Sequence, residues 1–359
     1  MKIAVGLSGG VDSSVAAMLL KEQGHEVVGI TMKLWRGTYR GGPKDGCFGP
    51  REVEGIARAT AFAERIGIPY RVFDLGEEYE QTIVRYFRET YLKGETPNPC
   101  VRCNALFKFG LLPRLAREAG LEFDRFATGH YARVVQAFPR WELWRAADEQ
   151  KDQSYFLYRL SQEQLARHVF PLGDLHKTEV REIARRAGLA AADTSDSQDF
   201  YSGDVNELVG EPDREGNVVD GSGKVLGTHR GFWHYTIGQR KGLGLPGGTG
   251  EPYYVIDVNA CRNEVIVGRV DETRTREFRV ANVNWVSIAE TASPFRCRVR
   301  VRSAGQLVPA VFENGVCRTD EGVFGVAPGQ SAVFYGSEDD RLLCGGVIET
   351  GRAAETSNT

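Results

Sequence analysis

The chain has 359 residues, of which 42% are hydrophobic and 26% are charged, and its net charge is −3. This composition is typical of a globular protein and excludes a disordered or fibrous one, while the length predicts two or three domains. A nucleic-acid partner would have to bind a local basic patch, because the chain as a whole is slightly acidic.

No apolar run approaches the ~20 residues that a membrane-spanning helix needs, so no membrane partner is expected. The chain enters a predicted strand at residue 2, which leaves no room for a signal peptide and predicts a cytoplasmic protein.

The first predicted element is a strand over residues 2–5, followed by a glycine turn and the start of a helix. The turn reads GLSGGVDS and consists of Gly6, Leu7, Ser8, Gly9, Gly10, Val11, Asp12 and Ser13. Backbone N–H groups of a glycine turn and the positive end of a helix both attract anions. The loop differs from the GxxxxGK[ST] pattern, because no lysine ends it. We therefore predict a cradle for the pyrophosphate of ATP, with Asp12 as a candidate Mg²⁺ ligand.

Strand and helix signals alternate through the first half. Buried parallel strands are predicted over 27–32 and 70–75, a further strand over 123–128, and a helix over 53–66. Such alternation predicts a doubly wound α/β domain with a parallel sheet. Ligands bind at the carboxyl ends of the strands in such sheets. The phosphate turn, the loop after Met32 and the turn 128–130 should therefore face one crevice.

The second half changes in character. A helix is predicted over 178–187, a polar stretch over 192–199, and a glycine-rich region without helical periodicity over 204–231. Segments 253–258 and 264–270 predict a hairpin, and further short strands up to residue 348 predict a small antiparallel barrel. The tail after Gly351 is expected to fray.

Seven cysteines include the pair Cys100-x-x-Cys103 within TPNPCVRCN. Without a secretion signal, this spacing indicates metal or redox chemistry rather than structural disulfides. The flanking Arg102 and Lys108 should favour a thiolate, and deep burial is not expected. The glycine-rich loop 37–50 carries Cys47 towards the same crevice. A thiolate beside an ATP-activating loop is a means of delivering sulfur.

Together, six segments resemble the tRNA-specific 2-thiouridylases, PP-loop ATP pyrophosphatases that replace the C2 oxygen of the wobble uridine with sulfur. The segments are GLSGGVDS, TPNPCVRCN, ATGHYAR, KDQSYFLY, YTIGQRKGLG and PGQSAVFY. The resemblance implies an α/β, doubly wound, adenine-nucleotide α-hydrolase-like catalytic domain over 1–203. It also implies a small central domain over 204–272 and a C-terminal antiparallel β-barrel that binds tRNA over 273–359.

The resemblance also implies roles for individual residues. Besides the phosphate loop, Met32 and Gly129 would contact ATP, and Cys103 would be the nucleophile that carries a persulfide. The segment that contacts the target base would be Asn98, Pro99 and Cys100. The other tRNA contacts would be His130, Lys151, Asp152, Gln153, Arg302, Ser303 and Gln330. The implied cofactors are ATP and Mg²⁺, and the implied partners are tRNAs for Lys, Glu and Gln and a cysteine desulfurase or sulfur-relay protein.

Basic residues offer candidate tRNA surfaces. In a strand, Arg296, Arg298, Arg300 and Arg302 would share one face, which suits phosphate contacts or a solvated barrel face. The same two interpretations, phosphate contacts or a solvated surface, apply to the loop 239–241 and to the arginines of helix 178–187. His130 is either a ligand-binding or a core histidine.

The sequence departs from the family where a second catalytic cysteine usually stands, because Tyr201 occupies that place. Cys100 stands where many members carry Asp. In one mechanism Cys103 carries a persulfide and Cys100 resolves it; in the other, Cys47, Cys100 and Cys103 ligate a [4Fe-4S] cluster. Three cysteines in the catalytic half favour the cluster. The remaining cysteines, Cys261, Cys297, Cys317 and Cys344, are expected to be packing residues of barrel strands.

Two other functions were weighed. One is another PP-loop adenylating enzyme, of the ligase or amidotransferase type, and the other is an RNA-binding module with a vestigial nucleotide loop. The adenylating ligase would not explain the cysteine loop or the arginine strand. Pyrophosphate release that depends on tRNA distinguishes all three functions: a thiolase shows it, a ligase releases pyrophosphate without tRNA, and a binding module releases none.

Overall fold

The computed structural model describes residues 1–42, 46–189, 199–201, 203–245 and 251–349. Most of the predicted polar stretch 192–199 and the tail after Gly351 lie outside the described residues. Within the described ranges, no helix is both long and apolar enough to cross a bilayer.

The first part of the chain alternates strands and helices, as predicted. In chain order its elements are β1 (Lys2–Gly6), α1 (Val11–Glu22), β2 (Glu26–Lys33), β3 (Gly46–Phe48), α2 (Glu52–Ile66), β4 (Tyr70–Asp74), α3 (Gly76–Tyr79), a π-helical turn (Glu80–Val84), α4 (Arg85–Leu92), α5 (Pro99–Cys103), a second π-helical segment (Asn104–Leu111), α6 (Leu112–Glu118), β5 (Arg125–Ala127), β6 (Arg133–Ala137), β7 (Arg140–Trp144), a 3₁₀ turn (Ser154–Phe156), α7 (Gln162–Arg167), β8 (His168–Val169), α8 (Lys177–Arg186) and β9 (Asp199–Tyr201).

The second part is mostly β-structure. Its elements are α9 (Val205–Val209), β10 (Gly216–Asp220), β11 (Val225–His229), a 3₁₀ turn (Phe232–His234), β12 (Tyr254–Asn259), β13 (Glu264–Gly268), a second 3₁₀ turn (Val270–Thr273), β14 (Arg274–Trp285), β15 (Phe295–Arg300), β16 (Val308–Glu313), β17 (Val316–Phe324), β18 (Ser331–Gly336) and β19 (Arg341–Ile348).

The first sheet is parallel and has the order β4-β2-β1-β5-β8. Helices cover both faces, because Ile3 and Val5 of β1 pack in one cluster with residues of α1 and α2, whereas Ala4 packs in another with residues of α6. The doubly wound fold is confirmed. The prediction that 70–75 is buried is wrong, since β4 forms the sheet edge and Val72 is exposed.

The central strands form a separate sheet with the order β11-β10-β13-β12. The predicted hairpin is confirmed, because β12 and β13 pair in antiparallel register from Tyr254↔Gly268 to Asn259↔Glu264. Its apolar core includes Val218, Val255 and Val265.

The C-terminal strands close into an antiparallel barrel, in the order β14-β17-β16-β15-β18-β19, through the additional pairing of β14 with β19. Three of the four cysteines expected to pack in the barrel are buried there: Cys297, Cys317 and Cys344. The prediction is wrong for Cys261, which is exposed in the turn between β12 and β13.

The barrel sheet continues into the first part of the chain. The hairpin β6–β7 joins its edge, because Trp144 and Leu143 of β7 pair with Arg341 and Leu342 of β19. The catalytic part and the barrel therefore share one eight-stranded sheet.

Candidate active site

The phosphate loop links the end of β1 to the start of α1. Gly9 has φ +76°, and a Cβ atom on it would lie 2.1 Å from the carbonyl oxygen of Gly55, so only glycine fits. The hydroxyls of Ser8 and Ser13 lie 3.2 Å apart, and Ser13 donates to the Gly10 carbonyl at 3.1 Å. These bonds hold the loop in shape before any nucleotide binds.

Asp12, on the first turn of α1, has two partners that sequence reasoning missed. Lys177 Nζ donates to its Oδ1 at 2.7 Å and to its Oδ2 at 2.8 Å, and the Tyr131 hydroxyl donates to Oδ1 at 2.8 Å. The lysine lies 165 positions away in the chain. No local pattern could have revealed this pair, because it forms only when α8 packs on α1.

The turn after β5 lies directly against the phosphate loop. A Cβ atom on Gly129 would be 2.6 Å from the carbonyl carbon of Asp12, so the two backbones are in contact. Next to it, His130 is buried, with Nδ1 2.7 Å from the Thr128 hydroxyl and its ring 5.5 Å from that of Phe109. Burial, helped by the charge of Lys108, holds the pKa of His130 well below its ordinary value, so its imidazole is neutral.

The cysteine pair is carried by the short helix α5. Asn98 caps it, since Asn98 Oδ1 accepts a hydrogen bond from Val101 N at 3.4 Å, and Pro99 fits the first helical position. The same Asn98 side chain donates to Ser331 of the barrel at 3.3 Å. Gln330 Nε2 donates to the carbonyl of Pro97 at 2.7 Å. The barrel thus fastens the loop that presents the thiols.

The thiol of Cys103 does not behave as expected. It is buried, with 8% of its surface exposed, and burial raises its pKa even though Lys108 acts in the opposite direction. The predictions of shallow burial and of a favoured thiolate are therefore wrong. Arg102 does not help, because its guanidinium stacks 3.7 Å from the centre of the Tyr86 ring.

The structure brings Cys47 close to the place of the missing cysteine. Strand β3 pairs with β9 in parallel register, with Phe48 opposite Tyr201. The Tyr201 hydroxyl accepts from Gly41 N at 3.0 Å and donates to Glu207. Burial raises the pKa of Tyr79, and the nearby thiols of Cys103, Cys100 and Cys47 add to that rise, so all three cysteines lie in the neighbourhood of one hydroxyl.

The other predicted site residues fall into two groups. Asp152 has a fully buried side chain, which accepts from Arg145 at 3.3 Å and from Arg300 at 3.0 Å. Gln153 Oε1 accepts from Tyr131 N, and Arg302 donates to the carbonyls of Gly325 and Ile237. The second group consists of Met32, Lys151 and Ser303, which are at least partly exposed, as are Gln153 and Arg302. Their contacts with ATP and tRNA stay predictions.

The predicted arginine face of β15 is confirmed in its alternation, since Cys297 and Val299 are buried. Two of its arginines are nevertheless used within the protein. Arg298 donates to the Gly336 and Asp339 carbonyls, and Arg300 pairs with Asp152. Arg296 is exposed, and Arg302 lies beyond the end of the strand, so the strand does not present an open stripe of four arginines to phosphates.

Comparison with known proteins gives consistent matches over the whole length. Three family models match, described as a tRNA methyl transferase HUP domain (residues 1–201), a tRNA methyl transferase PRC-barrel domain (206–269) and an aminomethyltransferase β-barrel domain (275–348). A protein of Endomicrobium trichonymphae named tRNA-specific 2-thiouridylase MnmA is 45% identical over 97% of this chain and 99% of its own length. Its namesake from Trichormus variabilis is 44% identical over 97% and 98%.

Among solved structures, a 4-thiouridine synthetase–RNA complex with bound ATP aligns with a TM-score of 0.35 and 18% identity, covering 57% of this chain and 44% of that one. This likeness is too weak to carry a functional conclusion. The first two family descriptions speak of methyl transfer, whereas the full-length relatives are named for thiolation.

Proposed function

This chain belongs to the family of tRNA-specific 2-thiouridylases, and we propose that it works by activating the C2 oxygen of the wobble uridine with ATP. The uridine oxygen attacks the α-phosphorus, the bond to the β-phosphate breaks, and pyrophosphate leaves. Sulfur then displaces AMP from C2. The phosphate loop binds the pyrophosphate part of ATP through backbone N–H groups and hydroxyls.

One observation supports this proposal: the phosphate loop touches the turn that carries His130, and a single lysine acts on both that turn and Cys103. Gly129 touches the backbone of Asp12, and His130 follows it in the chain. Lys108 acts electrostatically on both His130 and Cys103. The turn that touches the phosphate loop and the proposed sulfur carrier therefore share Lys108 as a charged neighbour, which supports their acting on one substrate.

For the sulfur step, we propose that Cys103 carries a persulfide. Its terminal sulfur attacks C2 as AMP leaves, and the Cys100 thiolate then attacks Cys103 Sγ. The S–S bond to the transferred sulfur breaks, its electrons stay on that sulfur, and a Cys100–Cys103 disulfide forms. A dithiol reductant regenerates both thiols. Cys100 and Cys103 are three positions apart on α5 and share one face, as this exchange requires.

A [4Fe-4S] cluster on Cys47, Cys100 and Cys103 is the alternative. The donor chemistry is suitable, since thiolates hold such clusters, and all three thiols approach Tyr79. Among the described residues, however, no three Cys, His, Asp or Glu side chains converge on a single metal ion. Cys47 is exposed whereas Cys103 is buried, and the persulfide route needs only the pair on α5, so no step is routed through a cluster.

Mg²⁺ is commonly held by one or two carboxylates together with substrate phosphates. Asp12 fits this role, because its carboxylate lies on the first turn of α1 beside the phosphate loop. Both of its oxygens bond Lys177 in this structure, so Mg²⁺ would have to displace the lysine. The metal would neutralise phosphate charge.

We further propose tRNAs for Lys, Glu and Gln as substrates and a cysteine desulfurase or sulfur-relay protein as the sulfur donor. Basic residues that remain exposed support tRNA contacts at two places, the loop with Arg240 and Lys241 and the outer face of α8 with Arg185 and Arg186.

The test is nucleoside mass spectrometry of 2-thiouridine in tRNA after anaerobic incubation with ATP, Mg²⁺ and a cysteine desulfurase with L-cysteine, which supplies persulfide sulfur to Cys103. Iron-free and cluster-reconstituted proteins are compared, together with the Cys47→Ser variant. We expect equal product without iron and near-full activity of Cys47→Ser. Product only after reconstitution, lost in Cys47→Ser, would establish the cluster route instead. Absence of tRNA-dependent pyrophosphate release in every sample would refute the proposed function itself.

A further inference from the structure

A buried amide oxygen next to the cysteine pair has no hydrogen-bond partner. Asn104 directly follows Cys103 in the chain and is only 4% exposed. Its Nδ2 donates to the Phe156 carbonyl at 3.2 Å, whereas no donor among the described residues reaches its buried Oδ1. Because a buried polar atom without a partner destabilises the folded state, such an atom beside the proposed sulfur carrier requires an explanation.

The orientation of this amide is fixed by its neighbour. The Phe156 carbonyl can only accept, so the side-chain nitrogen of Asn104 must face it. Exchanging the nitrogen and the oxygen would bring two acceptors into contact. The group without a partner is therefore an acceptor, and the partner that it fits is a hydrogen-bond donor.

The helix places this acceptor beside the proposed chemistry. Asn104 N donates to the Cys100 carbonyl, so Asn104 lies one turn after Cys100. Cys100, Cys103 and Asn104 thus occupy positions i, i+3 and i+4, which share one helix face. Phe156 ends the 3₁₀ turn that follows the predicted tRNA contacts at 151–153. A base whose C2 meets the sulfur on Cys103 approaches this same face.

Uracil carries a donor at the matching place. Its C2 lies between N1, which is bonded to the ribose, and N3, which bears a hydrogen, so N3–H is the donor nearest to the reacting carbon. Proteins recognise single-stranded RNA bases through hydrogen bonds to their Watson–Crick edges. Cytosine has an unprotonated N3 at this position, and two acceptors would then face each other.

We propose that Asn104 Oδ1 accepts a hydrogen bond from N3–H of the target uracil and so selects uracil over cytosine. This inference rests on the proposed function and adds a specificity-determining residue to it. The bond turns C2 of the base towards the sulfur on Cys103. A base without the donor is rejected, because the buried oxygen then stays unpaired.

The experiment compares two ligated tRNAs that carry uridine or 3-deazauridine at position 34. The second base keeps the C2 oxygen but has C–H in place of N3–H. Single-turnover pyrophosphate release with ATP and Mg²⁺ gives the ratio of the two rates for each protein. The new base changes the reactivity of its C2 oxygen equally in every protein, so a change in the ratio between proteins measures the contact with N3–H.

The proteins are the wild type, Asn104→Ala, Asn104→Asp and a matched control. The control is Asn284→Ala, which removes another amide whose nitrogen bonds backbone carbonyls, those of Tyr158 at 2.6 Å and Leu160 at 3.0 Å. Asn104→Asp keeps a side-chain oxygen that can accept from N3–H.

We expect the wild type to be about a hundredfold slower with the 3-deazauridine tRNA. Asn104→Ala should be about tenfold slower than the wild type with the uridine tRNA, and its ratio should narrow to about tenfold. Asn104→Asp and Asn284→Ala should keep the wild-type ratio. A residue that only held the Phe156 carbonyl would lower both rates equally.

The inference is overturned if the ratio for Asn104→Ala stays within twofold of the wild-type ratio, or if this variant releases no pyrophosphate with the 3-deazauridine tRNA. Should Asn104→Ala fail to fold, Asn104→Ser decides by the same criteria. Failure of the proposed function looks different, because the wild type itself would then release no pyrophosphate with the uridine tRNA.

Discussion

At the scale of single residues, burial controls the chemistry of this site. Burial raises the pKa of the Cys103 thiol and lowers that of His130, so both groups are held in their neutral forms. Lys108 opposes burial at Cys103 and reinforces it at His130, because a positive charge favours a thiolate and disfavours an imidazolium. Cys103, the proposed sulfur carrier, is therefore shielded from solvent and held mainly as a thiol, and Lys108 offsets only part of the effect of burial.

Replacing Cys103 by serine tests the identity of the sulfur carrier. We expect Cys103→Ser to abolish 2-thiouridine formation, since a hydroxyl cannot carry a persulfide or leave as a thiolate. ATP binding should remain within twofold of the wild type, because the phosphate loop is separate from α5. Mass spectrometry of tRNA nucleosides and calorimetry with ATP measure the two effects, and thiolation retained by the variant would refute the assignment.

The raised pKa of Cys103 predicts how the reactivity of this thiol depends on pH. The thiolate is the minor form near neutral pH, so alkylation of Cys103 by iodoacetamide should accelerate steadily as the pH rises past ~8.5, the ordinary thiol value. Lys108→Met removes the charge that lowers this pKa, and alkylation at pH 8 should become several-fold slower. Lys108→Arg should react like the wild type.

Peptide mass spectrometry resolves each cysteine, so the exposed Cys261 serves as an internal reference in the same sample. A plateau of Cys103 alkylation below pH 8 would show that its thiolate is favoured after all, in contradiction to the burial argument.

At the scale of elements, α5 is too short to be stable by itself and depends on its surroundings. Asn98 caps it and also bonds Ser331 of β18, while Gln330 holds the preceding loop through the Pro97 carbonyl. Two predicted tRNA contacts thus have a structural role in this state. The barrel contributes to the position of the thiols as well as offering a surface to tRNA.

Removing the cap should disturb the site more than the fold. We expect Asn98→Ala to cost about 1 kcal/mol of unfolding free energy and to lower the thiolation rate at least fivefold. Asp204→Ala removes the N-cap of α9, where Asp204 accepts from Asn206 N at 3.0 Å. It should cost a similar free energy in urea denaturation but leave thiolation unchanged. Equal activity of the two variants would show that the cap of α5 does not position the thiols.

At the scale of the whole molecule, a buried ion cluster joins the catalytic part to the barrel. Asp152, whose side chain is fully buried, pairs with Arg145 from the end of β7 and with Arg300 of β15. Arg145 also bonds Asp340, which precedes β19, at 2.8 Å. Together with the strand pairing of β7 and β19, these bonds make the two parts one unit.

Neutralising Asp152, the centre of this cluster, should lower the unfolding free energy of the protein. Asp152→Asn leaves two arginines without their shared partner, and we expect a loss of about 3 kcal/mol in unfolding free energy. The control is Glu277→Gln, which removes an exposed pair with Arg318 of 2.7 Å and should cost less than about 1 kcal/mol. Urea denaturation measures both, and similar small losses in the two variants would show that the cluster does not hold the parts together.

Features that reside in contiguous residues could be predicted from the amino-acid sequence alone. The strand–turn–helix around Gly9, the alternation that predicts a doubly wound sheet, the hairpin of β12 and β13, and the cysteine pair are all local patterns. Such patterns report the conformation and chemistry of neighbours along the chain, and each was recognisable for that reason.

Which groups are buried, and what they bond, emerged only from the packing of the folded chain. It placed Lys177 on Asp12, buried Cys103, paired the strand of Cys47 with that of Tyr201, and engaged Arg300 with Asp152. These contacts join segments far apart in the chain. Their existence depends on how helices and sheets pack, and so do the pKa shifts that burial causes, which no local pattern of residues encodes.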